Sequence, residues 1–110
     1  MSDEPPSEFL EPWFAPTADN LAAMEAELAR ELRPNLRHPL HSVSVRAVAR
    51  RQDRDDVLFE TNDHRFNLAV VHLTWSRGAE TNPEWPATAL FSSWSQWIES
   101  MKRDHEDWNT

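Results

Sequence analysis

The sequence contains no cysteine and a single glycine, Gly78. Without cysteine the chain has no disulfide bonds, no cysteine-based zinc site and no thiol nucleophile, and it fits a reducing compartment. One glycine is too few for the loops that hold phosphates in P-loop and dinucleotide-binding proteins. No serine lies in a Gly-x-Ser-x-Gly elbow either. These absences exclude several large classes of enzyme.

No apolar run approaches the ~18–20 residues that cross a bilayer, so we expect no membrane association. The first six residues, Met-Ser-Asp-Glu-Pro-Pro, lack the basic and apolar regions of a signal peptide. We therefore expect a cytoplasmic protein.

Positive charge is scarce, since the net charge is −8. Residues 1–31 carry a charge of −7, residues 32–66 carry +2 and residues 67–110 carry −3. An acidic chain is repelled by nucleic-acid phosphates, so direct DNA or RNA binding is not expected. The charge favours solubility, or alternatively an acidic surface that docks on a basic partner.

Large aromatic side chains are abundant, with six tryptophans and five phenylalanines in 110 residues. Buried rings of this size are sufficient to anchor the core of one domain without metal or disulfides. Prolines at 5, 6, 12 and 16 predict an extended arm over residues 1–16, and residues 17–110 form the single α+β domain. The apolar cluster of the arm either docks on its own domain or anchors a partner; it consists of Phe9, Leu10, Trp13 and Phe14.

Two segments have the three- and four-residue spacing of an amphipathic helix. The first begins near Thr17 and ends at Pro34, and the second runs from about Ser92 to Asp107. The second stripe is the clearer one and comprises Phe91, Trp94, Trp97, Ile98, Met101, His105 and Trp108.

Three β-prone segments lie between these helices, over residues 42–50, 57–61 and 65–75. Their short connections predict an α+β fold with a three-stranded antiparallel meander in the order α-β-β-β-α. The last strand has apolar residues on both faces, one of them Phe66, Leu68 and Val70. Three covers are possible: the arm, one helix on each face, or a second copy of the chain.

His72 interrupts the apolar face of the third strand, where Arg46, Arg50 or Glu60 of the neighbouring strands are expected to approach it. A histidine beside a carboxylate can act as an acid or a base, but a hydrogen-bonded histidine at a sheet end is the simpler explanation and the one we favour. Asp55-Asp56 fits a charged turn better than a catalytic pair. His38 and His41 fit a turn around Pro39 better than half of a metal site. We predict no catalytic residue, metal or cofactor.

The segments Asp55-Asp-Val-Leu-Phe59, Ala69-Val-Val-His-Leu-Thr-Trp75 and Trp85-Pro86, followed by the tryptophan-rich helix, resemble a group of small bacterial proteins. These share a DDVLF…VVHLTW…WP pattern, which here covers roughly residues 38–108. The group has no assigned activity, so the resemblance implies a compact bacterial or phage domain and no functional residues.

These patterns favour a non-catalytic, acidic domain that binds a protein partner, in the manner of an immunity-type or phage-encoded inhibitor. A homodimer is the other assembly that we consider. Interface hot spots favour tryptophan and arginine. The alternative is a small enzyme or ligand-binding domain with a pocket near His72 and Trp75. The candidate binding residues are Trp13, Trp85, Trp108, Trp75, His72, Arg46 and Arg50.

Overall fold

The computed structural model describes residues 3–75 and 86–110 of the chain. Two helices and five strands form in this part of the molecule, and the strands make one antiparallel sheet in the order β1-β2-β3-β4-β5. The elements are β1 (Trp13–Phe14), α1 (Ala18–Leu32), β2 (Val45–Arg51), β3 (Asp56–Thr61), β4 (Leu68–His72), β5 (Thr88–Phe91) and α2 (Trp94–Trp108).

The prediction of a three-stranded meander is wrong, because β1 and β5 extend the sheet on both sides. β1 is two residues long and lies within the proline-rich arm, where it pairs with Arg50 and Arg51 of β2. β5 follows Pro86 and precedes the helix directly, so the sequence pattern assigned it to a loop and to the start of the helix. Strands this short carry little signal of their own and depend on their neighbours for stability.

Both faces of the sheet are buried, each under a different helix. On the α1 face, Met24 and Leu28 of the helix pack in one cluster with residues of the sheet, which include Val57, Phe59, Ala69 and Val71. On the α2 face, the rings of Trp94 and Trp97 lie over Ala49, Leu58 and Leu68. Placing one helix on each face is what gives β4 its two apolar sides.

Two strand faces differ from the regular alternation of an extended strand. Phe66 belongs to the α1 face, together with Ala69 and Val71, because β4 begins only at Leu68 and Phe66 lies in the preceding turn. In β2, Ala47 faces α1 whereas Ala49 faces α2. A β-bulge between these two alanines inserts Val48 as an extra residue and shifts the register against β3.

The arm packs against its own domain on the α2 face. Phe9 and Leu10 adjoin the α2 cluster, and Trp13 is 2% exposed within it. At its start, the Asp3 carboxylate accepts hydrogen bonds from the first backbone N–H groups of α2, at Trp94 (2.8 Å) and Ser95 (3.0 Å). These backbone donors lower the pKa of Asp3, as expected for a carboxylate at a helix N-terminus.

Within residues 3–75 and 86–110, neither helix combines the length and the apolar character that crossing a bilayer requires.

Candidate functional site

β5 is an edge strand in the part of the chain that the structure describes, because its only strand neighbour there is β4. The carbonyls of Ala87 and Phe91 accept hydrogen bonds from His72 and Asn67 on the β4 side. Residues of an antiparallel strand alternate in the direction of their backbone groups, so those of Thr88 and Leu90 point away from the sheet. Within the described part of the chain, the edge therefore offers donors and acceptors to a further strand.

The side chains of β5 do not protect this edge. Natural edge strands are usually guarded by lysine, proline or inward-pointing charges. Thr88-Ala-Leu-Phe91 has no charged residue, and Leu90 is 42% exposed. An apolar, uncharged edge of this kind is a typical docking position for an extended segment.

A cleft opens beside each face of β5. On the α2 face, a cleft of about 270 Å³ is lined by Asp56, Val70, His72, Ala87, Thr88 and Ala89. A second cleft of about 370 Å³ begins at Leu90 on the α1 face and is lined by Pro39, Arg65, Phe66, Leu90, Phe91, Ser92 and Gln96. The two clefts flank the same strand, so alternate side chains of an added strand would each find a recess.

His72 lies in the first cleft and contacts a carboxylate. Its Nδ1 is 2.7 Å from Oδ1 of Asp56, its register partner on β3. The histidine side chain is about half-exposed, whereas that of Asp56 is mostly covered. Asp56 therefore orients the ring and leaves the rest of the imidazole accessible from the cleft.

His38 fastens the connector between α1 and β2 to the start of β5. Its Nδ1 accepts a hydrogen bond from Leu40 N–H (3.0 Å), so Nε2 carries the proton and donates to the Pro86 carbonyl (2.9 Å). Burial lowers the pKa of His38, which keeps the ring neutral. Both nitrogens are thus engaged within the protein, and neither is available to a metal.

A second polar cluster holds the chain just beyond β4. Both carboxylate oxygens of Glu31, which is 4% exposed, accept hydrogen bonds from the backbone of Thr74 and Trp75 at 3.0–3.1 Å. Trp75 has a φ of 53°, an unusual value for a bulky residue. Burial and the adjacent Glu27 raise the pKa of Glu31, against the effect of these donors. Glu27 in turn pairs with Arg30.

The Glu31 cluster leads to a prediction about pH. A raised pKa in the folded state favours the protonated acid. The contribution of Glu31 to stability therefore declines as the pH rises above 4.5, the ordinary pKa of a glutamate. Replacing Glu31 with glutamine removes the charge and keeps an acceptor for Thr74 N–H. We expect the unfolding free energy of the wild type to fall relative to that of Glu31→Gln between pH 4.5 and 8, measured by urea titration. Glu99→Gln on the exposed side of α2 is the control, and parallel pH profiles for wild type and Glu31→Gln would contradict the prediction.

The predicted tryptophans have separate environments. Trp13 is a core residue whose Nε1–H donates to Asp104 (2.9 Å), so it is not a surface anchor. Trp75 is 47% exposed and lies just beyond the end of β4. Trp108 is 40% exposed and is the last residue of α2. Trp85 lies outside the described residues.

The arginines expected near His72 are engaged elsewhere. Arg46 pairs with Glu60, and Arg50 pairs with Asp55 at 3.4 Å. The side chain that contacts His72 is Asp56, which the sequence pattern assigned to a turn. The adjacent residues Asp55 and Asp56 thus have different partners, Arg50 and His72.

Three features of the site were not predicted: the β5 edge, the Asp56 contact and the Glu31 cluster. The burial of Glu27 and Glu31 could have been inferred from the sequence, because they flank Leu28 and Leu32 on the apolar stripe of α1. Acidic residues in such a position are rarely buried without a partner. Among the described residues, no group of three or more histidine, aspartate and glutamate side chains is arranged to hold a metal ion.

Comparison with known proteins identified no matching family model, no matching curated protein and no matching solved structure.

Proposed function

We propose that this protein is a non-catalytic interaction domain that binds an extended segment of a protein partner along β5. The observation that carries the proposal is the uncharged edge strand with a cleft beside each face. In such strand addition, backbone hydrogen bonds supply affinity, and recesses for alternate side chains supply specificity.

The geometry of β5 matches both requirements. Ala89 shares the α2 face with its register partner Val70, and Leu90 shares the α1 face with Ala69. Small side chains at Ala87 and Ala89 leave room beside His72, whereas Leu90 borders the larger cleft. Successive side chains of an added strand would alternate between these two recesses.

The cysteine-free composition supports a reducing compartment such as the cytoplasm. Regulation of the partner, as by an immunity-type or phage-encoded inhibitor, is the role that a small binding domain of this kind would serve. A second copy is another possible occupant of β5, and its binding would appear as a change in oligomeric state.

The test compares Leu90→Lys with wild type in affinity purification from the natural host, at physiological salt and with the arm intact. Lysine is a common guard of natural edge strands, so the variant should fold while blocking strand addition. We expect one or more proteins to be retained by wild type and reduced at least about tenfold by the variant, the equivalent of ~1.4 kcal/mol. Backbone amide exchange at Leu90 should slow when the purified partner is added.

Ala22→Lys is the matched control, because Ala22 is exposed on α1, away from β5. It adds the same charge and should retain the partner. Equal retention by Leu90→Lys, or no retained protein at all, would refute binding at β5.

A second candidate function rests on the Asp56–His72 contact at the wall of a cleft of about 270 Å³. A small ligand with a hydrogen-bonding group would fit beside the imidazole, whose orientation Asp56 fixes. Trp75 does not line this cleft, in contrast to the predicted pocket. Screening a fragment library by NMR, with His72→Asn as the control, tests this candidate; an unchanged His72 ring signal throughout would refute it.

A further inference from the structure

The connector after α1 presents an exposed leucine on a rigid base. Leu36 is 75% exposed, more than any other large apolar side chain described. Its neighbours Asn35 and His38 are buried, and successive turns link them: Asn35 N–H donates to Leu32 O (2.9 Å) and His38 N–H to Asn35 O (3.2 Å). The backbone around Leu36 is therefore held on both sides, so the exposure of this leucine is a built feature of the fold.

Two arginines flank Leu36, and neither has an ion-pair partner among the residues that the structure describes. Residues 32–52 contain no aspartate or glutamate. Arg46, Arg50 and Arg51 of this segment each pair with an acidic residue from elsewhere in the chain. Arg33 and Arg37 form no ion pair with any acidic side chain of residues 3–75 and 86–110. An acidic protein thus keeps a local basic and apolar patch, which we call the connector patch: Arg33, Leu36 and Arg37.

The connector that carries this patch is hydrogen-bonded to the start of β5 through His38, the residue after Arg37. The partners of His38 there are Pro86 and Thr88. Pro39 lines the same cleft as Leu90 and Arg65. Arg65 is already paired with Asp63 at 2.8 Å, so Arg33 and Arg37 are the cations of this region that lack an acidic partner within residues 3–75 and 86–110.

We infer that the segment bound along β5 is acidic, with at least one apolar residue that packs on Leu36. This inference rests on the proposed function and specifies the chemistry of the partner. Carboxylates of the segment would lie against Arg33 and Arg37, where the guanidinium geometry suits bidentate contacts. Charge complementarity of this kind selects the partner and speeds its association.

The overall charge of the protein makes the opposite prediction. A domain of net charge −8 attracts basic segments over long distances, so a search for ligands without local recognition would yield lysine- and arginine-rich peptides. An excess of acidic peptides is therefore a discriminating result, because only the local patch explains it.

The experiment is a selection of random linear peptides displayed on phage against the immobilised full chain. We expect retained peptides to contain more aspartate and glutamate than lysine and arginine, with apolar residues at alternate positions. Binding of a synthetic selected peptide, followed by fluorescence anisotropy, should weaken on the order of tenfold in an Arg33→Glu, Arg37→Glu double variant. It should also weaken as NaCl is raised.

The matched control is Lys102→Glu with Arg103→Glu, two exposed positions of α2 that change the net charge by the same amount. This variant should bind the peptide as wild type does; an equal loss would show that net charge alone acts, and would overturn the inference. Selected peptides that are basic or neutral, but bind Leu90→Lys more weakly than wild type, would overturn the inference of an acidic segment and leave binding at β5 standing. If the selected peptides bind Leu90→Lys as tightly as wild type, or if no peptide is retained, both the acidic segment and binding at β5 are overturned.

Discussion

Replacing Trp97 with alanine is expected to lower the free energy of unfolding by about 3–5 kcal/mol, the usual cost of truncating a buried tryptophan. Trp97 is 1% exposed and makes edge-to-face contacts with three other rings. Phe9 and Trp13 of the arm lie at centroid distances of 5.9 and 5.3 Å, and Trp94 of α2 lies at 5.9 Å. A single truncation therefore loosens the arm and α2 together.

Urea unfolding followed by tryptophan fluorescence and by circular dichroism measures this loss. Small domains are stable by ~5–15 kcal/mol, so the variant should unfold at a much lower urea concentration and lose part of its structure if the wild type is at the lower end. Trp108→Ala is the control, since that ring is 40% exposed and should cost less than about 1 kcal/mol. Similar losses for the two variants would show that the α2 cluster does not depend on Trp97.

The long, periodic elements of this fold were predictable from the sequence, whereas the elements that depend on tertiary pairing were not. Both helices follow clear apolar stripes, and Ser93 caps α2 by accepting a hydrogen bond from Gln96 N–H (3.1 Å). β5 has four residues and β1 has two, so neither has a length at which alternation is informative. Their pairing with β4 and β2 comes from contacts that no local pattern contains.

The contact between His72 and Asp56 shows why the site was harder to predict than the fold. An antiparallel pairing of β3 with β4 was expected, but the partner of His72 depends on the length of the turn between them. A shift of one residue in that register would exchange the faces of the whole strand. The structure begins β4 at Leu68 instead of Arg65 and places Asp56 opposite His72.

Arg51 and Asp104 provide the second large expected effect, because they join the sheet, α2 and the arm. Arg51 is 8% exposed and donates two hydrogen bonds of 2.9 Å to Asp53. Its guanidinium also lies 3.4 Å from Asp104, whose other oxygen accepts from Trp13 Nε1–H at 2.9 Å. The carboxylate of Asp104 thus contacts both the arginine and the arm.

Asp104→Ala is expected to lower the free energy of unfolding by about 2–3 kcal/mol, because it leaves the indole N–H without its acceptor and a nearly buried arginine with one counterion fewer. Asp104→Asn keeps an acceptor for Trp13 and should lose roughly half as much. In a double-mutant cycle with Arg51→Met, urea unfolding should give a coupling energy of about 1–2 kcal/mol. Asp107→Ala, one turn further along α2 and exposed, is the control and should stay within ~0.5 kcal/mol of wild type. If Asp104→Ala were as stable as this control, the arm would be held without Asp104, and the charged cluster would contribute nothing to the fold.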